Sequence, residues 1–175
     1  MSKGVKRLEI KPRKIELIRK IENKYKVFPL QIIRMFKSLF SASNSSTKKV
    51  GFEDVKYAIE NHTRFFIINT LPNNEQDVLI QSTMNCENEE KYVNDMLSDY
   101  TTANVPIIVY GRNSSDDTVE RKYKQLCSLG FNDVYIYYGG LFEWLLLQDI
   151  YGMDEFPTSK KVGDILKYKP KPVLS

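Results

Sequence analysis

VPIIVYGRNSSDDTVERKYKQLCSLGFNDVYIYYGGLFEW, residues 105 to 144, decides the fold. Val105 to Tyr110 is an apolar, β-branched run of strand length, and Arg112 to Asp117 is a polar turn. Thr118 to Leu129 then carries apolar residues at Val119, Tyr123, Leu126 and Cys127, the spacing of an amphipathic helix. Asp116 and Asp117 stand at its start with Glu120 beyond them, suited to capping free N–H groups and complementing the positive end of the helix dipole. Gly130 ends the helix, and Phe131 is placed to fold back on the last turn. A second apolar strand, Asp133 to Tyr138, reaches Gly139 and Gly140, after which Phe142, Leu145, Leu146 and Ile150 repeat at helical spacing. The order βαβα implies a parallel strand pair with a right-handed crossover, and ligands in such folds gather at the carboxyl ends of the strands. Gly111 lies at such an end.

These residues resemble the rhodanese (sulfurtransferase) homology domain, in which an apolar strand ends in Cys, a loop and helix close at Gly-Phe, and a strand leads to Gly-Gly-x-x-x-Trp. Gly130-Phe131 and Gly139-Gly140 with Trp144 carry that pattern here. Upstream, FFIINTLP (65–72) is similar to the family's first core strand with its Ile-Asp-x-Arg-Pro ending, with Asn69 in place of the acid and Leu71 in place of the arginine. Leu79-Ile80 is similar in place to the His-Ile-Pro-Gly-Ala segment, without its histidine and glycine. The resemblance spans about residues 49 to 158 and implies an α/β, three-layer sandwich. A central, mostly parallel five-stranded sheet with helices on both faces is expected, preceded by a basic helical N-terminal extension.

The same resemblance implies a chemistry and removes its reagent. A rhodanese thiolate takes a sulfane sulfur as a persulfide, with loop N–H groups and a helix N-terminus stabilising the anion. Gly111 stands in the place of that cysteine. Related dual-specificity phosphatases need Cys, five residues, then Arg, and this loop has Asp116 and Asp117 near the arginine position. Two carboxylates repel an anionic donor, with Arg112 offsetting part of the charge. The loop Gly111, Arg112, Asn113, Ser114, Ser115, Asp116, Asp117 therefore reads as a degenerate active site with no catalytic residue.

Other reactive residues offer little. Cys127 falls on the apolar helix face and reads as a small buried hydrophobe. Cys86 opens the helix Glu87 to Tyr100 and is the one candidate for a relocated sulfurtransferase thiol. His62, the single histidine, closes a helix after Glu60 and Asn61. Glu87 to Glu90 reads as a solvated first turn matched to the helix dipole. The two cysteines lack metal-ligand spacing and exclude a disulfide scaffold, so neither metal nor cofactor is expected.

Charge divides the chain. Residues 1–50 carry 14 Lys or Arg against 3 acids, residues 51–158 carry 7 against 18, and residues 159–175 carry 5 against 1, giving +11, −11 and +4. Three segments follow: a basic helical arm and linker (1–48), the rhodanese-like domain (49–158) and a basic, extended tail (159–175). In the arm, Pro12 can open a helix with Ile15, Ile18, Ile21 and Tyr25 on one face, and Phe28, Ile32, Ile33, Phe36 and Phe40 form a second stripe after Pro29. Ser41 to Thr47 reads as a linker. The stripes suit packing on the acidic domain, an anionic membrane surface, or nucleic acid.

With no apolar leader after Met1 and no uncharged span, the chain is expected to be intracellular and cytoplasmic. GGLFEWLLLQDIYGMDEFPT (139–158) resembles rhodanese-like proteins of protists and large DNA viruses, which extends the expectation to a virion or viral factory. The expected function is a catalytically inactive rhodanese-like module for binding or assembly, with a protein partner or self-association. The alternatives are sulfur transfer through Cys86, and membrane or nucleic-acid tethering through residues 1–48.

Overall fold

The computed structural model describes residues 47–99 and 105–174. The arm's two stripes therefore lie outside the described residues. Among those described, the elements run α1 (Phe52–Glu60), β1 (Phe66–Asn69), a 3-10 turn (Asn73–Glu75), α2 (Cys86–Ser98), β2 (Ile107–Tyr110), α3 (Thr118–Ser128), β3 (Val134–Tyr137), α4 (Gly140–Tyr151) and a second 3-10 turn (Ile165–Tyr168). The three strands form a parallel sheet in the order β1-β2-β3. Ile108 faces Ile67 on one side and Tyr135 on the other, so β2 is central and buried along its whole length.

The side chains of successive strand residues divide between two cores. Ile67, Ile108, Tyr110 and Tyr137 face the layer of α1 and α4, where they meet Val55, Ala58, Leu141, Trp144 and Leu145. Ile68, Ile107, Val109, Val134 and Ile136 face α2 and α3, where they meet Met96, Val119, Tyr123 and Leu126. This is the period-2 alternation of a strand buried on both faces, and it makes a three-layer α/β sandwich. Burial of each large apolar side chain in these layers contributes about 1.5–3 kcal/mol.

The expected five-stranded sheet is corrected to three strands. At one edge Lys49 bridges Ile136 in parallel, and at the other Thr83 bridges Ile67 in parallel, each by a single residue. Both outer segments are cut short by the helix that follows. After Lys49 the backbone turns at Gly51, whose N–H donates to Asp54 Oδ2 to start α1. Thr83 is preceded by Ser82 in a left-handed conformation (φ 63°) and followed within three residues by α2.

The end of α3 follows the sequence. Gly130 adopts φ 100°, and Phe131, with its N–H on the Leu126 carbonyl, is 1% exposed beneath α3. Gly140 adopts φ 63°, and a Cβ there would lie 2.6 Å from the Gly111 carbonyl oxygen. On α4 the buried face is Leu141, Trp144 and Leu145, whereas Leu146 and Ile150 of the expected stripe are 40% and 71% exposed. The Trp144 indole fixes this rotation: it donates to the Pro157 carbonyl and packs edge-on against Tyr137 and Phe156.

The tail also departs from expectation. Ser159 pairs with Leu79 through backbone and hydroxyl, and the turn Ile165–Tyr168, capped by Asp164 Oδ1 on Leu166 N–H, brings Tyr168 to 1% exposure. Burial of one aromatic outweighs the solvation of the surrounding lysines. No helix of the described residues is long and apolar enough to cross a membrane.

Gly140→Ala is predicted to cost at least about 2 kcal/mol, because the left-handed backbone alone penalises Ala by about 1–2 kcal/mol and the Gly111 carbonyl must also move. Urea unfolding of the two proteins measures the difference.

Candidate functional site

β2 carries the backbone to Gly111, and the loop to Asp117 closes over the carboxyl end of the sheet. Its carbonyls are tied down first. The Leu141 N–H donates to the Gly111 oxygen and the Phe142 N–H to the Arg112 oxygen, each at 2.9 Å. These are orphan donors of α4's first turn, so the loop caps that helix by backbone alone, and Gly140 is what permits the approach. Gly140 thus serves close packing, a Cβ on Gly139 would meet the Glu143 carboxyl group, and Trp144, 0% exposed, serves the core.

Asp116 fills the inside of the loop. Its Oδ2 accepts the Arg112 N–H at 2.9 Å, and its Oδ1 accepts the Thr118 N–H at 3.0 Å and the Thr118 hydroxyl at 2.5 Å. The Thr118 hydroxyl also lies 2.7 Å from that of Thr70, which follows β1. Asp117 occupies the N-cap position of α3 with helical backbone angles and makes no side-chain cap bond, so the capping expected of the pair falls to Asp116. The carboxylate lies where a Cβ on Gly111 would point: such an atom would meet Asp116 Oδ2 and Val119 Cγ2, each at 2.5 Å.

Arg112 is committed elsewhere. Its guanidinium pairs with Glu75 Oε1 at 3.0 Å, donates to the Lys167 carbonyl at 2.7 Å and lies over the Tyr168 ring. Asn113, 7% exposed, donates through Nδ2 to the Tyr168 carbonyl and accepts the Ser115 N–H on Oδ1. The turn 165–168 is therefore a strap across the loop, while Ser114 and Ser115 remain exposed. Burial raises the Tyr168 phenol pKa, with Asp77 and Glu75 adding to the shift. The Tyr110 phenol, held between the Ile80 N–H and the Thr83 hydroxyl, is pushed up by complete burial and stays neutral.

Asn69 ends β1 and is 7% exposed; its Oδ1 accepts the Leu71 N–H in an Asx turn, and Leu71 is buried. These two positions shape the backbone beside the loop. Sequence reasoning missed Thr70, Glu75 and Tyr168. The last carried a readable signal: Asp164 followed by Ile165 and Tyr168 three apart is a capped apolar turn within a basic tail.

Cys86 is exposed at the first residue of α2 and borders an open cleft of about 310 Å³ with Asn69, Thr118, Arg121 and Lys122. The structure thus places this thiol beside the end of the loop, a proximity the sequence did not show. Lys122 is paired with Glu89, which answers one of the carboxylates of the acidic first turn. Cys127 is partly buried and its thiol pKa is raised by that burial, and His62 is exposed beyond α1. Among the described residues, no three His, Cys, Asp or Glu side chains are grouped to hold a metal.

The Alr3790 protein of Anabaena sp. is 23% identical over 67% of this chain and 96% of its own, with a TM-score of 0.47. The Rhodanese_3-like domain of the same protein is 26% identical over 55% of this chain and 99% of its own, with a TM-score of 0.39. Ygr203w, a yeast protein tyrosine phosphatase of the rhodanese family, is 14% identical over 70% of this chain and 99% of its own, with a TM-score of 0.47. No curated relative matches the chain. Residues 67–147 match the family profile described as the rhodanese-like domain.

Proposed function

We propose that the chain is a rhodanese-like module without sulfur-transfer chemistry, used for binding or assembly. The observation that carries this reading is the Asp116 carboxylate inside the loop. It accepts the Arg112 and Thr118 N–H groups, so donors that would otherwise face a bound anion are already matched to a negative charge. Gly111 offers no nucleophile, and the space beside it is filled by Asp116 and Val119. Arg112, the cation nearest the loop backbone, is neutralised by Glu75 and held by the strap. Each feature opposes an anionic sulfur or phosphoryl donor by sterics, by charge or by prior occupation of the hydrogen-bond donors.

A second reading is favoured by one specific observation, the cleft that Cys86 shares with Thr118 and Arg121. There a Cys86 thiolate would attack the sulfane sulfur of thiosulfate, forming the S–S bond of a persulfide and releasing sulfite with the electron pair of the broken bond. The two readings separate in one experiment. Intact-mass analysis after incubation with thiosulfate is expected to show an unchanged protein. A persulfide adduct that disappears in Cys86→Ala would replace the first reading with the second.

Restoring the missing residue tests the filled loop. Gly111→Cys is predicted to lose about 1–3 kcal/mol of stability from overpacking and to gain no sulfur-transfer activity with thiosulfate. Because positions 111 and 116 touch, the Gly111→Cys/Asp116→Gly protein is predicted to lose less stability than the sum of the two single changes. Denaturant melts of the four proteins give this coupling, and strict additivity would mean that Asp116 does not occupy the space.

A further inference from the structure

Helix α4 carries apolar residues on every side, with Glu143, Gln148 and Asp149 as its polar side chains. The sheet covers only one side, through Leu141, Trp144 and Leu145. Outward, Leu146 is 40% exposed, Ile150 71%, Tyr151 63% and Met153 40%, the largest concentration of exposed apolar side chains among the described residues. Leu146 and Ile150 lie one turn apart on α4, and Tyr151 and Met153 follow at and just beyond its end. The rim of this patch is acidic. Asp149 and Asp154 are exposed beside it, and Glu155 pairs with Lys56.

We propose that this face is the seat of the chain's own segment 12–40, docked within the same molecule. The segment lies outside the described residues, and three observations select it as the occupant. Its sequence carries apolar residues at helical spacing, from Ile15 to Tyr25 and from Phe28 to Phe40, which match the apolar patch in kind. It holds 8 Lys or Arg against 2 acids, complementary to the acidic rim and to the net −11 of residues 51–158. Finally, the chain enters the fold on the correct side: Lys49 bridges Ile136 at the sheet edge, and Val50 and Phe52 pack into the core layer that α4 covers.

Reach and partition favour docking within one molecule. The linker 41–47 can span about 24 Å when extended, against a helix thickness of about 10–12 Å. So short a tether presents the segment at an effective concentration in the millimolar range, above that of a second copy in dilute solution. The acidic rim repels anionic lipid and nucleic acid, and a docked segment has its own cations matched to the rim. The inference is independent of the loop's chemistry: an active Cys86 would leave it standing.

The test uses the full chain with a benzophenone amino acid replacing Ile150 in one sample and Lys124 in another. Lys124 lies on α3, on the opposite face of the sheet. Irradiation of a mixture of isotopically heavy and light protein is expected to give crosslinks from position 150 to peptides within 12–40 of the same copy, and none from position 124. In parallel, Ile150→Asp is expected to speed tryptic cleavage within 12–40 about tenfold, the order of effect from losing burial of one large apolar side chain. The fold should persist, since Ile150 is 71% exposed, and circular dichroism verifies it. Heavy–light crosslinks would overturn the proposal in favour of a second copy. Crosslinks absent from 12–40, with cleavage unchanged and phosphatidylserine vesicles or nucleic acid retaining the chain, would overturn it in favour of tethering.

Discussion

The carboxylate of Asp116 is the internal anion around which the loop is built. It accepts the N–H at the loop's start, Arg112, and the N–H of the first residue of α3, Thr118, closing the turn on itself. Charge-assisted bonds of this kind are short and strong, and each satisfies a backbone donor that the sheet and helix leave free. The same carboxylate holds Thr118, whose hydroxyl meets Thr70 after β1. Loop, helix start and neighbouring strand end are thereby fixed relative to one another. Glycine at 111 follows from this arrangement, since the carboxylate lies where a side chain would point.

A second tier of contacts locks the loop from outside. Its carbonyls receive the first N–H groups of α4, at a distance only glycine at 140 allows. Its side chains Arg112 and Asn113 hold the backbone of residues 167 and 168, and Tyr168 is buried against the domain. The Gly111 loop is a structural junction between α3, α4 and the C-terminal strap. Such a junction gives a rigid surface, and rigidity lowers the cost of binding a partner.

Much of this was legible in the sequence because its causes are local. The βαβα order came from the spacing of Ile107 to Tyr137, the end of α3 from Gly130 and Phe131, and the family resemblance from Gly139, Gly140 and Trp144. What was not legible depends on contacts distant in sequence. Nothing local distinguishes Asp116 from Asp117 as the capping acid; the position of Thr118 relative to Thr70 decides it. The strap pairs residues 55 apart. The buried face of α4 could not be read because the helix carries apolar residues on every side, so periodicity gave no preferred side, and Trp144 set it through Pro157 and Phe156. The five-stranded expectation failed at the edges, where Lys49 and Thr83 make one bridge each, with Gly51 turning the chain after the first and Ser82 before the second.

The loop's function depends on whether its backbone donors are free to meet an external anion. Nitrogen-15 NMR of the full chain, titrated with thiosulfate and with sulfate at constant ionic strength, reads the Arg112 and Thr118 amides directly. If Asp116 occupies the loop, neither resonance moves in a saturable way up to tens of millimolar anion, while Asp116→Gly makes both respond. Saturable shifts of both amides in the unaltered protein would show an anion site where the account has a filled one.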